Sequence, residues 1–465
     1  MTTAQQLVHA YETGLGLEPS AIDDEPDPGA RLAATLPVWA LAAGSVATAA
    51  GSANRFREAL GLAPRPVRLD PARISAAFSS ERLFRRGGAA PSIFAELSGF
   101  FGSSDGWVRT HANYPHHRAR ILQAADLSAD ADATRLAARF ATMKSAEIED
   151  AAATVGAIAV RVRTEAEWAD SPMGRAAATG PLVTVDLRAD RLSGTDAARP
   201  GRARTGGALA TPTIDRPLTG IRVLDLTRVL AGPVATRTLA LLGADVLRID
   251  PPALPEIDWQ FADTCQGKRS TLLDLRTDFA AFTDLLAAAD VLVTGYRPGA
   301  LAAAGVRAAA RPGLIDASVS AWGTTGPWGD RRGFDSIVQA ASGISLLEGA
   351  PDRPGALPAQ ALDHGSGYLL AAGVIDALRA RTHDGAGRDV RVSLARTASW
   401  LQAAGDRAPD HATATPPEPA MTVAHGKVVT AAPAFAGYDD YRWPAPPYGS
   451  AQPFWIDAPN HFHPG

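Results

Sequence analysis

The chain has 465 residues, 46% of them hydrophobic, which is enough for a large buried core and two or three folded units without covalent staples. Its formal net charge is −4, with Lys and Arg scattered rather than clustered, so the sequence offers no electrostatic footprint for nucleic acid or a membrane surface. Cys265, the one cysteine, excludes an internal disulfide and any multi-cysteine metal site, as expected of a protein kept in a reducing cytoplasm.

The opening MTTAQQLVHAYETGLGLEPS has no basic segment with an apolar run behind it. The most apolar stretch, LAATLPVWALAAGSVATAA (32–50), is Ala-rich and interrupted by Pro37 and Gly44, and it reads as a buried helix pair rather than a membrane span. RPVRLDPARISAAF (65–78) shares Arg, Val, Arg, Ala and Arg at matching offsets with RDVRVSLARTASWL (388–401), an internal repeat. GWVRTHANYPHHRARILQAADL (106–127) reads as strand, turn and helix. Its His111, His116 and His117 have no carboxylate or cysteine at ligand spacing, and the junction is expected to point them apart, so no metal site is predicted. Residues 191–215, rich in Gly, Ala, Arg, Thr and Pro without apolar periodicity, read as a linker.

Residues 217–252, PLTGIRVLDLTRVLAGPVATRTLALLGADVLRIDPP, spell a strand (221–227), a turn, a helix closed by Gly243 and a second strand ending at Asp250. Parallel strands joined by such a helix make a right-handed βαβ unit, whose ligands sit at the carboxyl ends of its strands, so the loop 228–233 is the first candidate contact. No G-x-G-x-x-G follows a strand and no phosphate-binding Walker loop occurs, which removes the usual nicotinamide and ATP readings. Further along stand GKRSTLLDLRT (267–277), ADVLVTGYRPGAL (289–301), ASVSAWGTTGPWGDRRGFDSIVQAASG (317–343), EGAPDRPG (348–355) and LDHGSGYLLAAGVIDALRARTHDGAGRDVRVSL (362–394).

In this order and spacing the motifs resemble the class III CoA-transferases, the family of formyl-CoA and carnitine CoA-transferases and the α-methylacyl-CoA racemases, over most of residues 217–401. The resemblance implies an α/β fold with a Rossmann-like parallel sheet in residues 216–401. Residues 1–190 resemble the family's smaller α+β domain, which normally follows the large one, and 402–465 its closing segment, packing back on the fold. Two fused copies with complementary losses account for the inverted order and the repeat; a plain circular permutation accounts for the order alone. The family's dimers are interlocked, so a homodimer is implied, with the halves complementing one another either within one chain or across the pair.

The implied activity is transfer of CoA from an acyl-CoA to a carboxylic acid through an aspartyl anhydride and an aspartyl-CoA thioester, with CoA as substrate and no tightly bound cofactor. Asp352, in the turn seventeen residues beyond Asp335, stands at the position the resemblance assigns to the nucleophile. The anhydrides require a dry site, which makes Gly349, Gly355, Gly365 and Gly367 candidate loop hinges. The racemases pair a His with an Asp; here Phe334 stands at the histidine's position, Asp363 matches the aspartate, and His364 is the nearby substitute for the acid/base pair. For CoA, the resemblance points to Arg228, Leu230, Ala231, Leu273, Arg276, Gly295 and Tyr296, and Arg297 adds a cation on the same loop. Pro251 and Ala303 stand where family members often carry a basic residue. A CoA-thioester racemase or isomerase and a non-catalytic acyl-CoA-binding relative are the alternative readings.

Overall fold

A computed structural model describes residues 2–192, 211–297 and 299–456; residues 193–210 of the predicted linker and 457–465 of the predicted tail lie outside the described residues. Thirteen strands are described, and their chain order is β1 (Arg85–Arg86), β2 (Phe100–Ser103), β3 (Gly106–Thr110), β4 (Ala159–Arg161), β5 (Thr184–Arg191), β6 (Arg222–Leu226), β7 (Asp245–Asp250), β8 (Arg269–Leu272), β9 (Val291–Thr294), β10 (Ile315–Ser320), β11 (Ala386–Ser393), β12 (Thr422–His425) and β13 (Val428–Ala431). The largest sheet has seven strands in the order β5-β11-β10-β9-β6-β7-β8, and all its pairings are parallel except that of β5 with β11. The protein is therefore α/β with a mostly parallel sheet, and its central strands read as near-continuous apolar runs because helices cover both faces. After β6 the chain adds β7 and β8 on one side and then returns to add β9 on the other, so the order reverses between β6 and β9.

The 217–252 unit forms as the pattern predicts, with the helix at Ala231–Leu241 between β6 and β7. The stretch 32–50 differs from the predicted helix pair: one 22-residue helix, Val38–Ala59, begins after Pro37. Gly44 does not break it. A Cβ there would lie 2.6 Å from the Leu7 Cβ and 2.8 Å from the Ala4 carbonyl, so glycine is the residue that lets the first helix, Ala4–Leu15, cross it closely. The 22-residue helix packs in turn along Ala361–Asp384, and a buried polar knot fixes the pair: Arg55 donates to Asp376 at 2.9 and 2.8 Å and to Glu12 at 2.9 Å, while Tyr11 and Ser52 donate to Asp376. Each buried charge there has its counter-charge, the condition under which burial is tolerable.

Residues of the first 190 thus enter two cores. Leu7, Leu41, Phe56 and Phe78 share one apolar cluster with Val223, Ile337 and Leu369 beneath the large sheet. A second cluster, Leu97 to Ala159, lies under the antiparallel sheet β2-β3-β4 and its helices Pro115–Ala124 and Ser145–Val155. The two repeat copies are unlike in form: the second is the end of β11 with a helix at Leu394–Ala403, the first an isolated bridge at Arg68 with a helix at Pro71–Phe78. No described helix is long and apolar enough to cross a membrane.

Candidate active site

A cavity of about 340 Å³ opens at the carboxyl ends of β6, β9 and β10, where the strand order reverses. Leu226 ends β6, Gly295 follows β9, and Val319 and Ser320 end β10; all four line it. The wall opposite comes from the first 190 residues, through Tyr114, His116 and His117 at the start of Pro115–Ala124.

The loop after β6 is held by buried charge. Asp225 on β6 accepts from the Thr227 N–H and hydroxyl, from Thr236 at 2.6 Å and from Lys268 Nζ at 3.0 Å; although burial pushes its pKa up, the Lys268 and Arg248 charges hold it below the ordinary carboxylate value. Further out, Glu256 accepts from the Val229 N–H at 2.9 Å, from Arg248 at 3.0 Å and from the Tyr114 hydroxyl, and it stands 3.6 Å from Arg228. Burial again acts upward, but Arg248 and Arg228 bring the Glu256 carboxyl down to about 2. This anchoring sustains a left-handed Val229 (φ 67°), a conformation a β-branched residue adopts only when its surroundings impose it. Gly232 is required for the same turn, since a Cβ there would lie 2.3 Å from the Thr227 Cβ.

Two aspartates meet at the other side. Asp335 opens the helix Asp335–Ser342, and its Oδ2 accepts from the backbone N–H of Leu362 (2.9 Å) and Asp363 (3.0 Å), two otherwise unpaired amides of the first turn of Ala361–Asp384. Gln339 donates to its Oδ1 and accepts from the Leu357 N–H at 2.9 Å. Burial raises Asp335 to about 6, while the Asp363 N–H, Gln339 and the Leu362 N–H pull against it. Asp363 is 5% exposed and lines the cavity; burial first and the Asp335 carboxylate second push its pKa well above the ordinary value.

Of the residues expected at the site, Arg228, Leu230, Ala231, Gly295, Tyr296 and Arg297 do line this cavity, as does Asp363. Four others do not. Asp352 sits exposed on a turn closed by reciprocal Ala350 and Arg353 backbone hydrogen bonds at 3.0 Å, with Trp107 Nε1 on the Pro351 carbonyl, so turn geometry accounts for it. His364 is one residue, hence about 100° of helix, away from Asp363; its ring is fully buried against Phe78 with neither nitrogen hydrogen-bonded, and burial lowers its pKa to about 3. Leu273 packs in the core beneath β6 and β7. Arg276 is exposed and folds back on Asp274 at 2.7 Å. The proposed glycine hinges are close-packing sites instead: a Cβ at Gly367 would lie 2.6 Å from the Ala231 carbonyl, one at Gly355 2.1 Å from the Glu348 carbonyl, one at Gly349 2.2 Å from the Gly355 N, and one at Gly365 3.0 Å from Leu41.

The N-terminal residues that wall the cavity are not marked by any motif in the sequence. His111, His116 and His117 converge rather than diverge: His111 stacks on Phe334 with ring centroids 3.8 Å apart, and His117 stands 4.2 Å from His116 and 5.8 Å from Phe334. Burial, with neighbouring cationic and imidazole groups, lowers both His111 and His117 to about 3, so both are neutral near pH 7. Glu256 left no sequence signal, because it lies in an irregular segment between β7 and the helix Asp258–Thr264. Asp335 stands at a helix start, but the amides it engages are those of Ala361–Asp384, not of its own helix, so its triplet does not announce the contact.

Residues 218–442 match the sequence model of CoA-transferase family III. The chain is 34% identical over 208 residues to a probable fatty acyl-CoA transferase, Rv3272, of Mycobacterium tuberculosis, covering 40% of this chain and 53% of that one. It is 35% identical over 199 residues to the succinyl-CoA–L-malate CoA-transferase alpha subunit of Chloroflexus aurantiacus (38% and 46% covered) and 35% identical over 200 residues to an acetyl-CoA:oxalate CoA-transferase of Acetobacter aceti (38% and 51%). The crystal structure of the Mycobacterium tuberculosis protein aligns with a TM-score of 0.37 at 35% identity, covering 40% of this chain and 55% of that one. The chain thus spans about half the length of the relatives it matches. Over residues 218–442, just under half of its length, the chain is similar to CoA-transferase family III.

Proposed function

We propose that the protein transfers CoA between an acyl-CoA and a carboxylic acid, with Asp363 rather than Asp352 as the nucleophile. The observation that carries this reading is a buried carboxyl facing the cavity, on the first turn of a helix whose neighbouring amides are fixed by Asp335. A Asp363 carboxylate oxygen attacks the thioester carbonyl, the C–S bond breaks, and a mixed anhydride and CoA thiolate result. The thiolate then attacks the aspartyl carbonyl and expels the donor acid, leaving an aspartyl-CoA thioester. The acceptor carboxylate attacks that thioester, CoA thiolate leaves again, and its return to the acceptor carbonyl frees Asp363.

Asp363 must be ionised to begin. Burial and the Asp335 carboxylate raise its pKa, whereas the helix N-terminus favours the carboxylate form that attacks. Thioester carbons and sulfur would lie over the loop after β6, with the N-terminal wall of Tyr114 and His117 excluding water from the anhydrides. A homodimer and the identity of donor and acceptor belong to the same proposal through the family.

One observation favours a second reading. His117, an imidazole held neutral by burial, lines the same cavity as Asp363, whose pKa burial raises, and the two together could exchange a proton at the α-carbon of a thioester despite Phe334. Incubation of the full chain with acyl-CoAs in D2O, followed by hydroxylamine trapping and mass spectrometry, separates the two. A hydroxamate at Asp363 is the expected result; deuterium at the α-carbon without any adduct establishes proton exchange instead, and an adduct at Asp352 overturns the assignment.

A further inference from the structure

Beside the cavity lies a recess of about 240 Å³ that none of the expected CoA contacts except Arg297 touches. Arg297, Arg331 and Arg332 line both spaces, so the two are contiguous. Its floor is apolar and comes from the other half of the chain, with Ala157 and Val160 at β4.

The charges around it do not balance. Arg331 has a counter-charge, with Glu149 at 3.8 Å, and rests on the Trp328 ring. Arg332, Arg120 and Arg297 have none: among the described residues their guanidinium groups meet only backbone carbonyls, Arg332 and Arg120 both donating to Gly156 O at 3.2 and 3.3 Å, and Arg297 to Asp330 O at 3.3 Å. The Asp330 carboxylate is the one acidic side chain on the lining, is exposed, and engages none of them. Gly156 ends the helix Ser145–Val155, and one cation on a helix C-terminal carbonyl is ordinary capping. Half a unit of negative charge at a helix end does not offset two guanidiniums with a third close by. The Arg332 pKa is depressed by burial and then by the Arg120 and Arg297 charges, which independently reports the crowding.

Gathering like charges at a partly buried site costs free energy unless an anion joins them. We infer that Arg297 and Arg332, which line this recess, together with Arg120, which meets Arg332 at the Gly156 carbonyl on its edge, form an oxyanion site, built jointly by the N-terminal half and the family segment, that holds a phosphate or a second carboxylate of the ligand whose reacting end lies in the main cavity. Guanidinium forks suit either group, since both present paired oxygens to parallel N–H donors. The two sources predict different losses.

The inference rests on the proposed handling of CoA and acids for its choice of probes, and binding is measured without turnover, so its failure is separate from failure of trapping at Asp363. Calorimetric titration of the full chain would compare CoA, 3′-dephospho-CoA and pantetheine, and succinate against butyrate. Arg120→Gln and Arg332→Gln should each weaken binding about tenfold or more, the loss expected for a charge-assisted hydrogen bond. A loss confined to CoA and its dephospho form assigns a phosphate; a loss confined to succinate assigns a carboxylate. Arg297→Gln, an exposed residue on a backbone carbonyl, gives the same readout if either change at the half-buried Arg120 or Arg332 impairs folding. Unchanged affinity for every probe in all three variants, or no binding of any probe by the wild-type chain, overturns the site.

Discussion

Asp352 and Asp363 lie eleven positions apart, and the difference between their surroundings is larger than anything the local sequence suggests. Asp352 belongs to a turn that its own backbone closes, in solvent. Asp363 is buried, faces a cavity at the reversal of strand order, and sits on amides that Asp335 holds. A reactive carboxylate is thus distinguished by what desolvates and orients it, and a proline-flanked turn supplies neither.

The comparison breaks most sharply by truncation. Asp363→Ala should reduce transfer at least about a thousandfold, or roughly 4 kcal/mol of barrier, by removing the covalent route, whereas Asp352→Ala should leave the rate within about threefold. The reverse ranking in initial-rate assays would return the nucleophile to the turn. A smaller effect follows from the contact behind Asp363: Gly367→Ala forces a Cβ to within 2.6 Å of the Ala231 carbonyl and 2.9 Å of Val234, pushing Ala361–Asp384 from the loop after β6. Overpacking of this kind should cost about 1–3 kcal/mol in denaturant unfolding and lower activity in the folded enzyme, and wild-type stability would show that the two helices have slack. Smallest is Asp335→Asn, which removes the like charge that raises Asp363 while keeping an oxygen for the amides. Because activity needs ionised Asp363 and is lost as pH falls through its pKa, the acidic limb of the rate profile should move to lower pH with little loss of plateau. A limb that stays in place would uncouple the two carboxyls.

The sheet was legible because its signal is local. Residues 221–227 and 244–250 are β-branched and leucine runs bounded by turn residues, and their motifs carried the family. That Arg228, Leu230, Ala231, Gly295, Tyr296 and Arg297 line one cavity was legible as well, since strand ends in such a sheet point to one place. Arg276 was not, because a motif fixes its position in the chain but not whether Asp274, two residues away, takes up its charge. Glycines misled for a related reason: Gly365 and Gly367 signal flexibility in isolation, yet inside a helix they mark where another backbone comes close. Glu256, Tyr114 and the Arg120–Arg332 pairing depend on contacts over 100 residues or more of sequence, or on irregular segments, which no periodicity encodes.

Strand β5, contributed by residues 184–191, hydrogen-bonds to β11 at 386–393, so the edge of the main sheet cannot be completed until roughly two hundred further residues exist. At ribosomal rates of about 5–20 residues per second, that interval is on the order of 10–40 s. During it the unpaired edge of β5 and the apolar face of Val38–Ala59, whose partner helix ends at residue 384, stand open to other chains and to proteases. Biosynthesis of this chain therefore contains a long wait, and a holding chaperone acting on the nascent first half is what its topology calls for.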